Sequence, residues 1–140
     1  MNEIWSVREY RKTDEPMIAD WWDYRNNFPF PFALLPPLGI IAELNGEPSA
    51  CCWLYMAVNV GVCWIEHAIS RPKLSFRQSR TAFGLVVGTL EAAAKDNDYG
   101  YMIAHASTPV TRVLKGFGFL DTNDHHTNSV AKLLCLPQHS

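Results

Sequence analysis

Two adjacent polar residues, Glu66 and His67, interrupt the apolar run GVCWIEHAIS, and a cluster of cations follows it: Arg71, Lys73, Arg77 and Arg80, with no acid between them. A carboxylate or an imidazole can take a proton from an attacking nucleophile near neutral pH. A group of cations can seat an anion. Consecutive side chains of an extended strand point to opposite faces, so only one of Glu66 and His67 is expected to face a given cleft. His67 would share its face with Cys63 and Ile65, and Glu66 with Val62 and Trp64. A carboxylate buried beside Trp64 would be pushed up toward the range of a useful base. Each residue has an equally ordinary reading as a hydrogen-bonded structural group. His105, further along, is a third candidate base.

The elements that must position these residues can be read from periodicity. Alternation ends at Pro72, and the apolar spacing then changes from two to between three and four. The stretch from Gly61 to Lys95 therefore predicts a strand, a basic loop and a long amphipathic helix buried through Phe83, Val86, Val87, Leu90 and Ala94. Free N–H groups and the positive end of the dipole at the helix start would add to the four cations. The start itself has two readings. Ser75 and Gln78 fit a capping box, which begins the helix one turn early and satisfies its own donors; alternatively the chain stays looped to about Ser79. Gly84 and Gly88, four apart on one helix face, predict a close approach to the backbone there.

Before this stretch come a strand at Trp5–Tyr10 and a helix opened by Thr13 or Asp14 with Pro16. Its stripe of Ile18, Trp21, Trp22 and Arg25 suits core packing. The proline-rich segment from Phe28 to Leu38 is predicted to be an apolar loop, read as a lid on the core or, alternatively, a wall facing substrate. Strands Gly39–Leu44 and Pro48–Ala57 flank the hairpin signal Asn45-Gly46. After the long helix follow a strand at Tyr101–Ala106, a helix from Thr108 with Val110, Val113, Leu114 and Phe117 on one face, and a final strand pair at Phe119–Asp121 and Val130–Leu136. The helical crossover makes Tyr101–Ala106 parallel to the strand carrying Glu66. The expected architecture is one mixed α+β domain over residues 1–140.

Composition narrows the function classes. The chain has 140 residues, 48% of them apolar, and a net charge of −2, so no global field draws it to nucleic acid or to an acidic membrane. No apolar run is long enough to span a bilayer, and four cysteines without paired spacing suit a reduced, cytoplasmic setting. Asp121, Asp124, His125 and His126 are expected to form a solvated hairpin loop and not a metal site. Cys63 beside His67 lacks the marks of a low-pKa thiolate.

The order strand, basic loop, helix, strand, helix resembles the GNAT superfamily of acyl-CoA-dependent N-acyltransferases. The family's phosphate loop, Arg/Gln-x-x-Gly-x-Gly/Ala, matches Arg77-Gln78-Ser79-Arg80-Thr81-Ala82 in its first and last positions. Leu90–Lys95 and Leu114–Phe119 resemble the ends of the family's two helices. The resemblance covers nearly all of Ile4–Leu136. It implies a mostly antiparallel mixed sheet whose two central parallel strands splay apart, with acetyl-CoA or another acyl-CoA between them and flanking helices outside. Ala68 and Ile69 would meet pantetheine through their backbones, and Arg77, Gln78, Ser79, Arg80, Thr81 and Ala82 would cradle the pyrophosphate. Ser107 stands where the family often has asparagine, and Glu66 or His67 would serve as base. The departures are Arg80 in place of a glycine, a longer connection over Pro72–Arg77, and Leu114 in place of a tyrosine that protonates the leaving thiolate.

The resemblance implies acyl transfer to an amine of a small molecule or protein, with the acceptor unidentified and a homodimer left open. A GNAT-fold module that binds or regulates without chemistry is the principal rival. The four cations as a nucleic-acid backbone contact are a weaker one, because the protein as a whole is slightly acidic.

Overall fold

Five strands form one sheet in the order β1-β2-β3-β4-β5, with α2 on one face and α1 with the proline-rich loop on the other. The architecture was obtained as a computed structural model, which describes residues 2–120. The strands are β1 (Trp5–Glu9), β2 (Leu38–Leu44), β3 (Glu47–Met56), β4 (Val62–Ser70) and β5 (Tyr101–Ala104), and the helices are α1 (Glu15–Asp23), α2 (Phe76–Asp96) and α3 (Thr108–Lys115). The predicted last strand pair and the Asp121–His126 cluster lie, from Asp121 on, outside the described residues.

Local chemistry accounts for each turn of the chain. Asn45 and Gly46 both take positive φ, 51° and 80°, the geometry a two-residue hairpin between right-twisted strands needs. Asp14 precedes α1 without capping it. Its carboxylate instead takes two bonds from Arg8, at 2.8 and 2.9 Å, and one from the Arg11 N–H at 2.8 Å. The Arg8 guanidinium holds this carboxyl below its ordinary range, and the pair ties β1 to the start of α1.

The sheet separates two apolar layers. Ile40, Cys52, Leu54 and Ile65 pack with Phe83, Val86, Val87 and Leu90 of α2. Ile41, Cys51 and Trp53, of opposite parity on β2 and β3, pack together with Ile69 of β4 against Ile18 and Trp21 of α1 and against Phe30. The Phe28–Leu38 segment carries a 3-10 turn at Phe32–Leu34, and Phe30 is buried against Trp22, Phe32 and Trp53. The lid reading therefore describes Phe30, while Phe28 and Leu34 stay exposed.

β4 and β5 are parallel, as the crossover requires, and their register runs from Val62↔Tyr101 to Ile65↔Ala104. β5 ends there, two residues earlier than expected, while β4 continues to Ser70. The strands therefore part at Glu66. A second irregularity falls at the same place. β3 and β4 pair as Cys51↔Ile69 and then as Trp53↔Glu66, so Cys52 alone stands against His67 and Ala68. This is a β-bulge, and His67 takes φ 62°, a left-handed conformation that a non-glycine side chain rarely adopts.

Candidate functional site

The bulge changes the expected arrangement of Glu66 and His67. Ile65 packs in the α2 layer and Ile69 in the α1 layer, although residues four apart on a regular strand share a face. The extra residue reverses the alternation, so His67 does not share the face of Cys63 and Ile65. Its ring lies among Trp22, Phe30, Trp53 and Tyr55, with centroids 5.4–6.3 Å away. Its Nε2 is 3.7 Å from Glu66 Oε2. The opposite-face expectation is thus overturned: the two polar side chains come together on the α1 side.

They connect to others. Glu66 Oε1 is 3.0 Å from His105 Nδ1, and His67 Nε2 is 3.1 Å from the Tyr55 hydroxyl. The hydroxyl donates its one proton to the Leu34 carbonyl at 3.1 Å, so Nε2 is the donor in the bond between His67 and Tyr55. Tyr55, His67, Glu66 and His105 form a chain from the aromatic layer to the surface. Exposure rises along its outer part: 18% for the His67 side chain, 32% for Glu66 and 46% for His105. Glu66 is therefore not buried under Trp64, which stacks on Tyr55 instead. Burial pushes the Tyr55 phenol up to about 12, helped by the Glu66 charge. The Cys52 thiol, which donates to the Glu66 carbonyl at 3.2 Å, is likewise raised by burial to about 12, so it is no nucleophile.

Burial lowers the affinity of His67 for a proton, against a smaller opposing pull from Glu66. An unfolded imidazole titrates near 6.5, so below that pH the unfolded chain binds a proton that the folded chain refuses until its own lower pKa is reached. Stability should therefore fall as pH drops through 6.5 and level off below the folded value. Urea midpoints at pH 7.5 and 5.5 measure this. His67→Asn, which tolerates the positive φ, should show a smaller decrease than the parent, and equal decreases would remove His67 as the cause.

On the α2 side, the parting of the strands leaves a small cavity of about 10 Å³. Glu66 and Ala68 of β4, Phe83 and Val87 of α2 and Leu114 of α3 are among its walls. Such a space holds at most about one water, so a longer guest requires α3 to move away from β4. Leu114, in the position expected to hold a proton donor, is a buried wall residue. Ser107 lies past β5 at the start of α3, and its carbonyl accepts from Thr111 N–H. A larger hollow beside β5, about 510 Å³, reaches Leu120 at the limit of the described residues and lies away from Glu66.

The basic segment follows the early-start reading. The capping box is formed: Ser75 Oγ accepts from Gln78 N–H, and the Gln78 side chain accepts from Ser75 N–H, both at 3.1 Å. The expected phosphate-loop residues Arg77–Ala82 therefore lie inside α2, where N–H groups beyond the first turn are committed to helix bonds. Ala82 is fully buried, and Thr81 Oγ1 donates to the Arg77 carbonyl. Arg80 turns away, its guanidinium lying 6.0 Å over the ring of Phe117. Phe117 also explains Gly84, since a Cβ there would meet its ring at 2.8 Å; a Cβ at Gly88 would meet nothing within 4 Å. What remains at the helix start is Arg77 and Gln78. Both contact Glu3, at 3.6 and 3.1 Å, so a carboxylate already occupies that position. Arg71 is paired with Glu47 at 3.6 Å.

Among the described residues no group of three or more histidines, cysteines and acids is placed to hold a metal ion, and no helix is long and apolar enough to cross a membrane.

No protein-family model and no curated protein matches the sequence. Solved structures do match the fold. The ribosomal-protein-S18-alanine N-acetyltransferase from Escherichia coli aligns at TM-score 0.67 and 12% identity, over 86% of this chain and 80% of that one. Glucosamine-6-phosphate N-acetyltransferase from Arabidopsis thaliana aligns at 0.65 and 12%, over 94% of this chain and 99% of the other. N-acetylglutamate synthase from Neisseria gonorrhoeae, solved with coenzyme A and L-arginine, aligns at 0.67 and 13% over 89% of this chain, which spans only 29% of that protein.

Proposed function

We propose that this chain, which has the fold of the GNAT acyl-CoA N-acyltransferases, transfers the acyl group of an acyl-CoA, acetyl-CoA in the first instance, to an amine. The observation that carries the reading is the parting of β4 from β5 at Glu66, at the end of the sheet from which the chain runs into the start of α2. An unpaired strand edge from Glu66 on can bond the amide groups of a pantetheine arm, and Ala68 and Ile69 supply that edge. The first turn of α2, with Arg77 and Gln78, is the place for the pyrophosphate. Glu3 already sits beside both side chains, so the cofactor would replace one anion by another. Ser79, Arg80, Thr81 and Ala82 have a smaller part than the alignment implied, because they lie within the helix. Ser107 faces the cofactor from the α3 side.

Chemistry then needs one base and a good leaving group. Glu66 is the base: it is among the walls of the cavity, and its carboxylate contacts His105, a solvent-exposed residue that borders the same cavity. His67, donating to Tyr55 and packed among rings, lies beside the carboxylate, and the hydrogen bond that positions Glu66 comes from His105. The amine attacks the thioester carbon as Glu66 takes its proton. Sulfur leaves as a thiolate, and with a thiol pKa of about 8.5 it departs without the proton donor that Leu114 cannot supply.

The second reading, a GNAT-fold module that binds CoA without transfer, rests on Leu114 and on the helical Arg77–Ala82. Melting in the presence of CoA tests what both share. Millimolar CoA should raise the melting temperature through mass action, and an unchanged value would rule out both. Thiol release from acetyl-CoA with amines then separates them.

A further inference from the structure

Acyl transfer to an alkylamine removes two protons from one nitrogen. The acceptor arrives at neutral pH as an ammonium ion, loses one proton to gain a lone pair, and loses a second as it bonds the thioester carbon. A carboxylate that has taken the first cannot take the second until it is emptied. His105 supplies another acceptor at the same place. Its N–H reaches the Ile65 carbonyl at 3.4 Å, which holds its backbone one residue past the last ladder pair, Ile65↔Ala104. Its ring reaches Glu66, with Nδ1 3.0 Å from Oε1, and both residues are among the walls of the small cavity where the strands part. A carboxylate only accepts, so Nδ1 carries the hydrogen, and in the neutral ring Nε2 carries the lone pair. No described residue bonds Nε2, and the side chain is 46% exposed.

The other groups around the carboxylate cannot take this part. His67 Nε2, 3.7 Å from Glu66 Oε2, is committed as a donor to Tyr55, and burial lowers the affinity of that ring for a proton. The Cys52 thiol is raised by burial to about 12 and keeps its proton. The walls that α2 and α3 give the cavity, Phe83, Val87, Val110 and Leu114, carry no ionisable group. We infer that His105 is a second base of the reaction: its Nε2 takes the first proton from the incoming ammonium ion, and Glu66 takes the second during attack. This rests on the acyl-transfer reading above. The imidazolium so formed is paired with the Glu66 carboxylate and gives its proton to water. The free amine then bonds the thioester carbon, Glu66 accepts the remaining proton, and the C–S bond breaks with its electron pair on sulfur. Sulfur takes up one proton, so that of the two removed from nitrogen one is released to water.

The test compares two acceptors of similar size at pH 7, by thiol release from acetyl-CoA: ethylamine, which is then an ammonium ion, and 2,2,2-trifluoroethylamine, whose fluorines leave it as the free amine. Only ethylamine has a first proton to lose. His105→Asn keeps an N–H toward Glu66 but cannot take a proton, so the ratio of kcat/KM for ethylamine to that for trifluoroethylamine should fall about tenfold or more, less than a sole base supplies because water also accepts this proton. Glu66→Gln should slow both amines and keep the parental ratio. A role for His105 in positioning alone would slow both amines alike. A CoA-induced rise in melting temperature shows that each variant is folded, and His105→Gln, which also cannot take the proton, replaces His105→Asn if that variant is not. A ratio unmoved by loss of His105, or one that falls only with Glu66→Gln, overturns the inference and leaves acyl transfer standing. No thiol release with either amine in the parent protein overturns both.

Discussion

Glu66→Gln should reduce acyl transfer by about a hundredfold or more, the usual loss when a positioned base is removed, while the CoA-induced rise in melting temperature stays unchanged. The substitution preserves shape and the bond to His105 but removes the charge that takes the proton. Thiol release under saturating acetyl-CoA measures it. A variant that keeps the parental rate would show that Glu66 is no base, whatever its position. The contrast with His67 is instructive. Its ring is enclosed by Trp22, Phe30, Trp53 and Tyr55, and its Nε2–H is committed to Tyr55. His67 substitutions should therefore act through packing and stability, not through loss of the proton acceptor.

The second large effect concerns Trp53. It is fully buried, pairs with Glu66 across the β3–β4 ladder, and touches Tyr10, Phe30 and His67. Trp53→Ala should cost about 3–5 kcal/mol, the range for emptying a large aromatic site in a packed core. Urea unfolding would show it as a lower midpoint. A loss under about 1 kcal/mol would mean that the α1 layer collapses onto the gap, and that Trp53 does not support the bulge. Gly39 marks how tight this site is: a Cβ there would fall 2.4 Å from the indole nitrogen of Trp53.

Much of this was legible in the sequence because it follows from short-range rules. The Asn45-Gly46 hairpin, the parallel pair β4 and β5 and the buried stripe of α2 all come from turn chemistry, crossover geometry and periodicity. The capping residues Ser75 and Gln78 were legible too, beside the alternative of a chain looped to about Ser79, and the structure closes the cap. The bulge was not. Alternation assumes a regular ladder, and nothing in Glu66-His67-Ala68 announces that one residue of β3 will face two of β4. That omission alone assigned Glu66 and His67 to opposite faces. The role of Phe117 against Gly84 was half legible: the glycine signalled an approach, but not which ring makes it. The loop motif gives Arg80 to phosphate, whereas its position inside a helix sends its guanidinium toward Phe117, just past α3.

A crystal soaked with acetyl-CoA tests the central claim most directly. Pantetheine should lie along the β4 edge at Glu66–Ile69, with α3 displaced from β4 to admit it. The pyrophosphate should sit at the first turn of α2 in place of the Glu3 carboxylate. Acetyl-CoA bound elsewhere, such as in the hollow beside β5, or absent at millimolar concentration with the strands unchanged, would contradict it.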